Sequence, residues 1–123
     1  MLINPDYSEL AELTPGTYKA HIVGAEEKTS QAGKPYVKWK FSTYDAEDAR
    51  LNNKFVWTNT MLSGPGAFRL KQLVDAVLGK GHTGAIEPET FYGKSVLLTV
   101  VEGLDQNGSP TGYAEVKSVR ALA

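Results

Sequence analysis

Hydrophobic and polar positions alternate with a period of two over most of the chain. Tyr18, Ala20 and Ile22 alternate with Lys19, His21 and Val23, the pattern of a strand with two unlike faces. Thr14-Pro15-Gly16 precedes it as a turn. A polar stretch from Glu26 to Lys34 reads as a loop, and the cleanest alternation in the protein follows. There Val37, Trp39 and Phe41 share one face, while Tyr36, Lys38, Lys40 and Ser42 share the other. A third strand, Lys54 to Leu62, sets Phe55, Trp57, Asn59 and Met61 against Val56, Thr58, Thr60 and Leu62. Both of its faces carry apolar residues, so the pattern leaves open which one meets the core.

The period changes once. After the breaker Ser63-Gly64-Pro65-Gly66, residues Leu70, Leu73, Val74 and Val77 recur at helical spacing, with Arg69, Lys71, Gln72 and Asp75 opposite. The spacing predicts a helix over 67–78, stopped by Gly79. Phe68 lies off the apolar stripe and is expected to pack against the Gly-rich loop. Ser95 to Glu102 and Tyr113 to Val119 then read as a hairpin with a long polar tip containing Asp105-Gln106-Asn107-Gly108. Near the start, Pro5, Leu10 and Leu13 carry a weak helical signal.

Three strands, a helix and two strands make the element order of the OB-fold. The expected class is therefore mainly β: a five-stranded Greek-key barrel with one α-helix between strands three and four. Residues 1–123 are expected to form one domain, with 1–13 as an N-terminal extension. Barrels of this type bind oligonucleotides or oligosaccharides on the face made largely by strands two and three. Fold order does not establish function, so the side chains on that face decide the question.

Composition narrows the chemistry. The 123 residues include 13 Lys+Arg, 14 Asp+Glu and no cysteine. Disulfides, Cys-type zinc sites and thiol nucleophiles are thereby excluded. With a net charge of −1, a polyanion must be held by a local basic surface and not by bulk attraction. No basic and apolar leader or membrane-length apolar run stands in the sequence, so a cytoplasmic protein with no membrane partner is expected.

Other site chemistries find little support. His21 and His82 lie in separate elements without a second His at ligand spacing, and Asp45, Glu47 and Asp48 read as a solvated acidic loop. No metal or cofactor is expected. Gly93-Lys94-Ser95 imitates the end of a P-loop, but Pro88 stands where the first glycine belongs and a strand follows where a helix is needed. No Ser-His-acid set stands out, and no enzyme is expected.

What remains is an aromatic ring beside two ammonium groups. Tyr36, Lys38 and Lys40 share a strand face, and a ring there stacks on a base while cations follow phosphates. Trp57 and Phe55 add to this face if strand three turns them outward, with Lys54 at its entrance. Lys28 and Lys34 fall in the loop before strand two, and Tyr113 and Lys117 on the final strand. Trp39, between Val37 and Phe41, is expected in the core. Lysines alternating with apolar residues are also normal on any solvent-facing strand.

Several strings carry a resemblance: Leu13-Thr14-Pro15-Gly16-Thr17-Tyr18, Ala25-Glu26-Glu27-Lys28-Thr29-Ser30 and Gly33-Lys34-Pro35-Tyr36-Val37-Lys38. Asn59-Thr60, Leu70-Lys71-Gln72-Leu73, Phe91-Tyr92-Gly93-Lys94 and Glu115-Val116-Lys117 extend it over about 13–119. In order and spacing they resemble a phage family long classed as a domain of unknown function, whose members resemble OB-fold single-stranded DNA-binding proteins of phage replication and recombination.

The resemblance implies sequence-independent binding of single-stranded DNA, in the host cytoplasm if the chain is phage-encoded. It lands on Tyr36, Lys38 and Lys40, with Lys28 and Lys34 beside them. RNA, a second copy of the chain, and replication or recombination proteins stay open as further partners. Many single-strand binding proteins end in an acidic tail that recruits partners, whereas this chain ends Lys117-Ser118-Val119-Arg120-Ala121-Leu122-Ala123. The alternatives are a protein-interaction or virion-structural module on the same barrel, and an oligosaccharide-binding barrel.

Overall fold

The computed structural model describes residues 1–5, 13–82, 84–104 and 106–122, apart from the side chains at 65, 112 and 113. The weak N-terminal helical signal falls mostly outside them. Five strands form one antiparallel sheet: β1 (Gly16–Thr29), β2 (Pro35–Tyr44), β3 (Phe55–Met61), β4 (Ser95–Leu104) and β5 (Pro110–Ala121). One helix, α1 (Phe68–Leu78), follows a short 3-10 turn at Pro65–Ala67, so the breaker occupies a residue more than the spacing predicted. No helix among the described residues is long and apolar enough to cross a membrane.

The strand order across the sheet is β3-β2-β1-β4-β5. Strand β1 pairs with β2 from Lys19 to Thr29, but with β4 only over Gly16 to His21. A bulge between Ile22 and Gly24 separates these two halves. An extra residue at such a point bends a strand and raises its twist, which curls the sheet. The edges β3 and β5 consequently approach each other, and α1 packs against both.

Val37, Trp39 and Phe41 of β2 point inward as their alternation predicts. They meet Ala20 and Ile22, Val56, Leu73 and Val74 of α1, Phe91, and the inward residues of β4 and β5. Trp39 is fully buried; its ring stacks on Phe91 with centroids 5.6 Å apart, and its indole N–H donates to Thr60 Oγ1 at 2.8 Å. That bond resolves the ambiguity of β3. Its Val56/Thr60 face is interior, and Phe55 and Trp57 turn outward.

Two expectations are corrected here. Strand β1 runs on to Thr29, so Glu26 and Lys28 lie on a strand and the loop shrinks to residues 30–34. A charged sequence hid this because the far end of β1 projects into solvent on both faces. Phe68 is 56% exposed and does not pack down, its ring lying 5.6 Å from the Arg69 guanidinium carbon.

Candidate nucleic-acid interface

Strand register assembles the surface. Across β1 and β2, Lys28 stands opposite Tyr36, Glu26 opposite Lys38, and Gly24 opposite Lys40. Across β2 and β3, Tyr36 stands opposite Met61, Lys38 opposite Asn59, Lys40 opposite Trp57, and Ser42 opposite Phe55. Opposed residues of an antiparallel pair project to the same side. Lys28, Tyr36, Lys38, Lys40, Phe55 and Trp57 therefore share one outer face, with Phe55 52% and Trp57 46% exposed.

The lysines lie against the rings. Lys40 Nζ is 3.9 Å from the centroid of Phe55 and 5.8 Å from that of Trp57, and Lys38 Nζ is 5.7 Å from Trp57. Such cation–π contacts hold an ammonium over a ring without neutralising it. Among the described residues neither Lys38 nor Lys40 forms a salt bridge, whereas Lys28 lies 3.7 Å from Glu26. The face thus offers flat rings together with two unneutralised cations. Between the rings and β1 lies a depression of about 280 Å³, lined by Gly24, Ala25, Glu26, Lys38, Lys40, Trp57 and Tyr92.

The other expected residues are dispersed to different degrees. Lys34 is exposed in the turn joining β1 and β2, at the end of the face where Lys28 and Tyr36 stand. Its N–H donates to Ser30 Oγ at 3.1 Å. Lys54 immediately precedes β3 and is half-buried, and its backbone N–H donates to Thr43 Oγ1 at 3.0 Å. Lys117 is exposed on β5, which pairs with β4 in the sheet and approaches β3 on its other side. The Tyr113 side chain lies outside the described residues.

Tyr92 is the residue that pattern reading missed as part of the site. Its neighbour Phe91 is buried, while Tyr92 is 42% exposed and reaches β1 from the connection before β4. Only the tertiary placement of that connection reveals it; the string Phe91-Tyr92 carries no local signal separating the two rings.

The histidine and acidic residues have ordinary partners. His21 Nδ1 is 3.0 Å from Ser95 Oγ, and its ring stacks on Tyr44 with centroids 4.0 Å apart. Asp45 pairs with Lys19 at 2.9 Å and Asp48 with Arg50 at 2.8 Å. The hydrogen bonds from Arg50 hold the Asp48 carboxyl below the usual aspartate value, and the bond to Asp45 raises the Lys19 ammonium above its own. Among the described residues no three His, Cys, Asp or Glu side chains gather as a metal ion would require.

The family model described as "Protein of unknown function (DUF669)" matches residues 3–123, and the chain belongs to that family. No curated protein matches it.

Proposed function

We propose that this DUF669 protein is a sequence-independent single-stranded DNA-binding protein, and that its curled sheet is an OB-type barrel. Supporting the barrel are the strand order, the approach of β3 to β5 and the helix between β3 and β4. The observation that carries the function is the outward pair Phe55 and Trp57, set beside Lys38 and Lys40 on the β2–β3 face. Two large rings in solvent are a cost without a ligand, and unpaired bases are the planar partners that cover such rings.

In this reading Trp57, Phe55 and Tyr36 stack on bases, and Lys28, Lys34, Lys38 and Lys40 follow the phosphates. No cofactor and no catalytic step are involved. The protein coats exposed strands, protects them and removes their secondary structure, as the resemblance to phage replication and recombination proteins implies.

Titration of tryptophan fluorescence with oligo-dT tests the proposal. Trp57 is accessible and its emission is expected to be quenched at low salt; a folded protein showing no quenching rejects it. A Lys38→Glu, Lys40→Glu variant separates the rival in which this face serves protein assembly. Loss of DNA binding with assembly unchanged supports the proposal, and the reverse outcome supports the rival.

A further inference from the structure

Tyr92 belongs to none of the strands that build the aromatic face, yet its ring lines the same depression as Trp57. Backbone groups fix its position. The Tyr92 hydroxyl accepts from the Ala25 N–H at 3.1 Å and lies 3.4 Å from the Ala25 carbonyl oxygen. Ala25 lies beyond His21↔Ser95, the last pair between β1 and β4, where β1 has no strand neighbour on that side. The hydroxyl takes the place of the missing strand, and with it engaged, what Tyr92 offers a ligand is the surface of its ring.

The rest of the depression selects the kind of ligand. Gly24 leaves the floor without a side chain, and a Cβ there would already touch Lys40 Cβ at 3.5 Å. Glu26, paired with Lys28 at 3.7 Å, lines the depression together with Lys38 and Lys40, which bring positive charge to its opening. A volume of about 280 Å³ falls just below the usual range of small-molecule sites, about 300–1,000 Å³. A single flat ring fits a space of this size, with its phosphates toward Lys38 and Lys40.

We infer that the depression is a nucleobase subsite, in which one unpaired base enters against Tyr92 while a neighbouring base stacks on Trp57. This rests on the single-stranded DNA reading and extends it from the β2–β3 face across the edge of β1.

The decisive measurement uses the unmutated protein with oligo-dT carrying 5-iodouracil, irradiated and mapped by mass spectrometry. A crosslink at Tyr92 is expected. Tyr92→Leu is expected to weaken oligo-dT binding by at least about fivefold, with no loss toward an abasic oligomer of the same length. Tyr92→Phe keeps the ring and is expected to keep the affinity. Crosslinks confined to the β2–β3 face, or oligo-dT affinity unchanged in folded Tyr92→Leu, overturn the subsite while leaving the DNA reading intact. Should Tyr92→Leu fail to fold, the crosslink map of the unmutated protein decides. Absence of any oligo-dT binding by the folded unmutated protein overturns both readings together.

Discussion

Lys40 holds its ammonium nitrogen 3.9 Å from the centre of the Phe55 ring, on the strand neighbouring its own. The same nitrogen is 5.8 Å from Trp57, so one cation spans two exposed rings. An exposed contact of this type contributes only about 0.5–1 kcal/mol. It is therefore weak enough to be exchanged. A base stacking on the ring and a phosphate meeting the ammonium would replace one internal contact with two intermolecular ones.

The first prediction concerns salt. If Lys38 and Lys40 meet phosphates, replacing each with alanine removes one contact and lowers the slope of log K against log salt by about 0.7. Affinity at low salt should fall, and the variants should converge on the unmutated protein as salt rises. Titrations of oligo-dT at several salt concentrations measure both. An unchanged slope would remove these lysines from the phosphate path.

The two tryptophans give the second prediction, because their surroundings differ so sharply. Trp39 is fully buried and Trp57 is 46% exposed. Iodide should quench Trp57 and spare Trp39, and oligo-dT should shield Trp57 from iodide. In Trp57→Leu the DNA-dependent quenching should vanish. Affinity should drop by about 1–3 kcal/mol, the range for one lost base stack.

Legibility varied from strand to strand for physical reasons. In β2 one face carries Val37, Trp39 and Phe41 and the other carries two lysines, so a period of two is enough to assign both faces. In β3 the large rings sit outside and a threonine sits inside, an order that hydrophobicity alone reverses. What fixes it is the Trp39 indole, already interior and needing the Thr60 hydroxyl. The far half of β1 reads as loop because Glu26, Glu27 and Lys28 are charged; its pairing with β2 is supplied by backbone groups.

A third prediction follows from Asp48, which accepts from the Arg50 backbone N–H at 3.0 Å and pairs with its guanidinium. The folded carboxyl titrates below the ordinary 3.8, so its contribution is fully present above that value. It is lost as pH falls through the lower folded value. Asp48→Asn keeps an oxygen to cap the short 3-10 turn but removes the charge. The variant should be slightly less stable than the unmutated protein at neutral pH. The gap should close in acid, and thermal unfolding at the two pH values measures it.

The last prediction separates the interior of β3 from its exterior. Thr60 Oγ1 accepts the Trp39 indole N–H at 2.8 Å and lies 3.3 Å from the Val37 carbonyl, all within the core. Thr60→Val keeps the shape but leaves the indole N–H buried without an acceptor, at a cost of about 1–3 kcal/mol. For a domain of this size each kilocalorie lowers the melting temperature by roughly 4 °C. Thr60→Ser restores the acceptor and should recover most of the hydrogen-bond loss. Neither change touches the outer rings, so oligo-dT affinity of the folded variants should match the unmutated protein. A variant of Thr60 that kept its stability yet lost DNA binding would mean that this side of β3, and not the Phe55–Trp57 side, meets the strand.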